Sequence, residues 1–198
     1  MDNIDRGPAP QPEAFDVVKW TRIFWLAVIG LLAATIVGVL IWFFVSFASV
    51  DIKEKGVSCV YPRGWRIERP KQSPDVIAAF VSPQENALDA FFENMVLTNY
   101  DMSRNPLSTD QYIELMVRQM KAVFSNITLV KKSLFFPAGR KGCHLLFRVE
   151  DDVPKMISVY AFTIGEMGYN FLYIGVEDRY LKEKPLMDVM ALLLKVKY

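Results

Sequence analysis

The sequence predicts an α+β protein: a central antiparallel sheet packed by two amphipathic helices and preceded by one transmembrane helix. Three observations lead there. Ile23 to Val50 is a run of 28 residues without a charge. Beyond it, most of the chain breaks into strand-length apolar segments separated by Pro, Gly and Asp turns. Two stretches, one from Thr109 and one from Pro185, switch to helical spacing instead.

A helix needs about 20 apolar residues to cross a ~30 Å hydrocarbon core, and the uncharged run exceeds that. Trp20 and Trp25 lie near one end of it, and Trp42, Phe43, Phe44 and Phe47 near the other, as interfacial aromatics do. Ser46-Phe47-Ala48 has the small-x-small form of a signal cleavage site. Signal h-regions, however, run only about 7–15 apolar residues, so the segment reads as an uncleaved anchor. Cys59 follows the charged stretch Asp51–Lys55 and not an apolar run, so it does not read as a lipidation site. The chain therefore divides into a Pro-rich tail (1–22, with Gly7-Pro8-Ala9-Pro10-Gln11-Pro12), a transmembrane helix (23–50), a short charged stalk (51–56) and an α+β domain (57–198). Lys19 and Arg22 flank one end of the span, Lys53 and Lys55 the other. With Arg63, Arg66 and Arg69 added on the far side, the charge count slightly favours a cytoplasmic C-terminal domain. Long domains, however, translocate largely regardless of such charges, and a short tail left inside is the more usual layout. The expected layout is a single-pass protein of the bacterial inner membrane, with the C-terminal domain extracytoplasmic.

Within the domain, Val57–Tyr61 and Trp65–Glu68 read as strands around the Pro62-Arg63-Gly64 turn. Val76–Val81 is a short apolar run, and Phe91–Tyr100 alternates with period two. Ser108 and Gln111 have the spacing of a capping box, opening a helix over Thr109–Phe124. Its expected apolar stripe is Tyr112, Leu115, Met116, Gln119, Met120, Val123 and Phe124. Strands resume at Ile127–Phe136, Cys143–Glu150, Met156–Ile164 and Tyr169–Val176, the last two joined by a Gly165–Gly168 hairpin. Pro185 suits the first turn of a closing helix, with Leu186, Val189, Met190, Leu193 and Leu194 on one side. Lys195 and Lys197 suit its negative C-terminal end. Hairpin-joined strands are antiparallel, and two amphipathic helices must bury their stripes against them.

Little in the sequence points to chemistry. From Asp51 onward 20 basic residues face 18 acidic ones, an excess too small to neutralise a run of phosphates, so nucleic acid is not an expected partner. His144 is the only histidine and adjoins Cys143. Adjacent residues on a strand point to opposite faces, which separates this nucleophile–base pair. Cys59, Cys143 and His144 show no metal-ligand spacing, so neither a metal nor a cofactor is expected. Cys59 and Cys143 are either buried thiols acting as small hydrophobes or a disulfide of an oxidising compartment. Glu150, Asp151 and Asp152 read as a solvated turn, and Gly139-Arg140-Lys141-Gly142 as a polar hairpin.

Pro62-x-Gly64-Trp65-x-Ile67 resembles the strand entry of the PsbP and DcrB group, which shares its fold with Mog-type Ran-binding proteins. Phe92-Glu93-Asn94-Met95-Val96-Leu97 is similar to the strand built around that group's Phe-x-Asn core. Ser108-Thr109-Asp110-Gln111-Tyr112 resembles its helix start, Gly139–Phe147 its following hairpin strand, and Tyr169–Ile174 its penultimate strand. The resemblance covers about Val57 to the C-terminus. It implies an antiparallel sheet with packed helices and a non-catalytic role: extrinsic subunit, envelope protein or adaptor. DcrB-like proteins are tethered through a lipidated cysteine, whereas this chain carries an apolar helix. The expected function is thus a membrane-anchored binding module for a membrane-protein partner. Arg63, Arg66, Arg140 and Lys141 are the candidate contact residues. The alternative is a carrier of a small apolar ligand in a pocket lined by Met95, Phe147, Tyr160 and Phe162.

Overall fold

The computed structural model describes residues 17–70, 73–83, 94–137 and 140–197. The Pro-rich segment 7–12, Phe92, Glu93 and Gly139 lie outside them. The chain divides into two units between Val45 and Ser46.

The described part of the first unit is helix α1, Val17–Ser46, whose last residue, Ser46, already falls in the second unit. Its stretch Phe24–Ser46, 23 residues, is long and apolar enough to cross a membrane. At 1.5 Å per residue it measures about 35 Å. Apolar side chains from Phe24 to Val45 are exposed on every side of it, the pattern of a helix whose partner is not a protein core. The Thr35 hydroxyl bonds back to the Leu31 carbonyl at 2.8 Å, so it is satisfied without water.

The second unit begins as a strand. The helix was expected to run to Val50, but Phe47–Ile52 forms β1, paired antiparallel with β2, Val57–Pro62. Phe47 and Ile52 are buried there, so tertiary pairing overrides the helical reading of an apolar run. The expected stalk 51–56 is likewise not a linker. Asp51 and Ile52 end β1, and Lys53–Lys55 makes a 3-10 turn closed by Gly56 in the left-handed conformation, φ 61°. The remaining elements are β3 (Arg66–Glu68), β4 (Val76–Val81), β5 (Asn94–Asp101), α2 (Thr109–Val123), β6 (Ile127–Phe135), β7 (Gly142–Val149), β8 (Lys155–Ile164), β9 (Met167–Val176), α3 (Glu177–Leu192) and β10 (Lys195–Val196).

Among the described residues, seven strands form one antiparallel sheet in the order β3-β4-β5-β9-β8-β7-β6, and β1-β2-β10 form a smaller one. Gly165, at φ 57°, lets the β8–β9 hairpin turn in two residues between the paired Ile164 and Met167. Alternation along β7 and β8 splits the core into two layers. Cys143, Leu145, Phe147, Ile157 and Val159 pack with α2 on one face. Leu146, Met156, Tyr160 and Phe162 pack on the other with α3 and the small sheet.

The capping box on α2 forms: Gln111 N donates to Ser108 Oγ at 3.3 Å, and Ser108 N to Gln111 Oε1 at 2.8 Å. The buried stripe is Tyr112, Ile113, Met116 and Val117, whereas Gln119 and Val123 are exposed. The face that meets the sheet is therefore turned from the expected one. Each of those four side chains contributes about 1.5–3 kcal/mol by burial. Helix α3 starts at Glu177, eight residues before Pro185, which sits in its interior. The Pro185 ring removes a backbone donor inside the helix. Tyr180, Met187, Met190 and Ala191 hold the helix to the sheet. Lys195, expected at the end of this helix, pairs instead with Ser58 in β10.

Candidate functional site

Ser158, His144, Tyr160, Asp188 and Lys184 form a polar cluster between β7, β8 and α3. His144 and Tyr160 are register partners, which stacks their rings at 4.5 Å with an 11° tilt. Ser158, two residues before Tyr160, falls on the same face and meets His144 Nε2 at 2.7 Å. Tyr160 donates to Asp188 Oδ1 at 2.5 Å, and Lys184, one helical turn away, pairs with the other carboxylate oxygen. Burial pulls the His144 imidazole down to about 4, so it is neutral at physiological pH. Burial, reinforced by the Asp188 carboxylate, pushes the Tyr160 phenol up, which keeps it protonated as a donor.

Ser158 with His144 has the contact distance of a nucleophile and its base. Both are sealed: Ser158 is 0% and His144 5% exposed. A carbonyl carbon cannot reach Ser158 Oγ while β8 and α3 stay packed. The pair therefore acts as a satisfied polar contact between β7 and β8. Single-sequence reading missed it because the two residues lie fourteen apart and meet only through strand pairing.

The Cys143–His144 neighbours do point to opposite faces: Cys143 lies in the α2 layer, while His144 meets Ser158 and Tyr160. Cys59 and Cys143 are free thiols, so the disulfide alternative is corrected. Cys59 belongs to the α3 layer and Cys143 to the α2 layer, with the seven-stranded sheet between them. Burial pushes the Cys59 thiol up to about 12 and also raises that of Cys143. The four residues expected to line one apolar pocket are corrected on the same ground. Met95, Tyr160 and Phe162 lie in one layer and Phe147 in the other, all essentially without exposure. Phe135 and Phe171 pack around Tyr160, so these side chains fill a core.

The four candidate contact residues are exposed but fall in two places. Arg63 donates through its backbone N to Ser46 O and through Nε to Phe47 O, both at 3.0 Å, tying β2 to the start of β1. Arg66 on β3 pairs with Glu68 at 2.7 Å. Arg140 and Lys141 lie in the β6–β7 hairpin, where Lys141 pairs with Asp110 of α2 at 3.1 Å. β3 and β6 are the opposite edges of a seven-stranded sheet, about 30 Å apart at ~4.8 Å per strand. The acidic turn is partly answered from within: Lys155 pairs with Asp151 at 2.9 Å, and Arg148 joins Glu150 and Glu177. Among the described residues no cluster of His, Cys, Asp and Glu could hold a metal.

No protein-family model matches this chain, and no curated protein matches it. Solved structures do. A cyanobacterial PsbP, CyanoP from Synechocystis sp. PCC 6803, is 23% identical, covering 77% of this chain and 94% of its own, with a TM-score of 0.58. LpqN of Mycobacterium tuberculosis, described as involved in cell envelope biogenesis, is 10% identical over 77% of this chain and 91% of its own, with a TM-score of 0.56. A Mog1 mutant is 12% identical over 76% and 95%, with a TM-score of 0.54. The α+β unit therefore has the fold of PsbP and Mog1, as the sequence resemblance implied.

Proposed function

We propose that this chain is a single-pass membrane protein whose α+β domain is a non-catalytic binding module: an accessory subunit, assembly factor or adaptor of a membrane or envelope complex. The observation that carries this reading is the junction at Ser46. The apolar helix ends there, and the next residue already belongs to β1 of the α+β unit. Cleavage after Ala48 would cut inside β1 and remove Phe47, which is 5% exposed. It would also remove the carbonyl that Arg63 Nε uses. An anchor kept in the mature chain avoids both losses.

Tethering confines the domain to the membrane plane and raises its effective concentration toward membrane partners, so a modest polar interface suffices. An extracytoplasmic position at a bacterial inner membrane fits the envelope role given for LpqN. The sealed Ser158–His144 pair supports binding over turnover. The test is photo-crosslinking in native membranes from single positions on the two sheet edges, Arg66 and Leu134. Reproducible adducts with one membrane protein are expected from at least one edge. A folded, membrane-held chain that yields no adduct from either would overturn the reading.

A further inference from the structure

Among the described residues the seven-stranded sheet ends in β6, which pairs on one side only, with β7. Nine residues at ~3.4 Å each present about 30 Å of outward-facing backbone donors and acceptors. Large apolar side chains are exposed on this strand, Val130 at 54% and Leu134 at 61%, and just past its end, Phe136 at 51%. Val130 sits where the β6–β7 register shifts, so it is not a register partner of any β7 residue. Leu134 borders a hollow of about 140 Å³ that Ile113 and Cys143 also line. The opposite edge, β3, has only three residues and offers no comparable template.

Charge singles out the occupant. Residues 127–149 contain five basic residues and no acidic one. Lys132 and Lys141 are answered by Glu114 and Asp110 of α2, and Arg148 by Glu150 and Glu177. Lys131, at the midpoint of β6, is exposed. β6 carries Lys131 and Lys132 and no acidic residue, so a second copy pairing antiparallel with this edge gains no opposite charge. A two-fold axis at the strand's midpoint would bring Lys131 against Lys131, which like-charge repulsion disfavours. An acidic strand meets no such penalty.

We propose that β6 is the docking edge for an extended, acidic segment of a partner protein. The segment adds an eighth strand, its backbone pairs with β6, and its alternate side chains meet Lys131 on one face and Leu134 on the other. This rests on the reading of the chain as a binding module and names the chemistry of its partner.

The test uses the full chain in lipid nanodiscs and three synthetic ten-residue peptides. One alternates Glu with Val, one alternates Lys with Val, and one repeats the Glu–Val peptide with alternate amides N-methylated. Hydrogen exchange is followed by mass spectrometry. The Glu–Val peptide is expected to slow exchange across 127–135, while the other two leave it unchanged. Lys131→Glu should weaken that protection at least tenfold while exchange in α2 and β8 stays native. No protection at millimolar Glu–Val peptide, equal protection by the N-methylated peptide, or full protection in Lys131→Glu would each overturn the proposal. So would protection of β6 by anionic lipid alone, which would make the edge a lipid contact, or by the chain's own self-association. Failure here with crosslinks still formed from Arg66 refutes only the docking edge. Failure with no crosslink from either edge refutes the binding module itself.

Discussion

His144 should make the domain lose stability as acid is added, and the size of the effect follows from its surroundings. The ring is 5% exposed, bonded to Ser158 and stacked on Tyr160. Burial lowers its proton affinity most; Asp188 partly offsets this, and Lys184 and Lys131 add to it. In the unfolded chain the imidazole takes up its proton near its usual value of about 6.5. In the folded chain it does so only near 4. Between those values the unfolded state holds more protons, so stability drops as pH falls. The contribution is complete above about pH 6.5, is lost progressively toward pH 4, and levels off below. One-site linkage gives a loss of about 2 kcal/mol between about pH 7 and pH 5. His144→Gln keeps an amide for Ser158 but cannot titrate. The assay is urea unfolding of the full chain in detergent, followed by the far-ultraviolet signal of the sheet, for both proteins at several pH values. The variant is expected to be less stable at neutral pH, with its deficit shrinking by about 2 kcal/mol toward pH 5. Parallel pH profiles would refute the buried, neutral imidazole.

Other expectations test the packing around it. A Cβ on Gly168 would lie 2.4 Å from the ring of fully buried Tyr112; Gly168→Ala should cost about 1–3 kcal/mol in the same unfolding assay, and a neutral result would contradict the α2 packing. Asp188→Ala strips the acceptor from Tyr160 and Lys184; a loss of about 1–3 kcal/mol is expected, and an unchanged midpoint would show the network to be idle. Ser108→Ala removes the α2 cap at about 0.5–2 kcal/mol, read as faster hydrogen exchange in the first turn of the helix. Cys59 and Cys143 are buried thiols with raised proton affinity. Without reductant, an alkylating reagent should leave both untouched in the folded chain and modify both in urea; a chain that accepts none in urea would mean they are bridged.

What the sequence disclosed depended on how local the signal was. The capping box at Ser108 and Gln111 and the hairpin at Gly165 involve residues within one turn of each other, and both stand where they were read. β6 to β9 were legible because alternation and turn residues bracket them. The three-stranded sheet was not. β1 lies inside an apolar run that any window assigns to the membrane helix, and β10 is a two-residue strand after a helix. Only pairing with β2 makes either a strand. The start of α3 was hidden by Pro185, whose preference for a first turn masked an interior position. At the candidate site, the opposed faces of Cys143 and His144 followed from strand periodicity. The Ser158–His144 contact required the β7–β8 register, which no single strand encodes. Likewise, the four basic residues could be named from sequence, but that Arg66 and Lys141 end toward opposite edges of the large sheet depends on strand order.

Whether Phe24–Ser46 remains with the mature domain decides the central claim. Membranes from cells making the untagged chain should be washed in alkaline carbonate, and the intact mass of the retained protein measured. The expected result is the whole chain in the membrane pellet, with its apolar helix attached. A shortened, carbonate-soluble product that begins near Ser49 would show that the helix is a removed leader and that the domain works untethered.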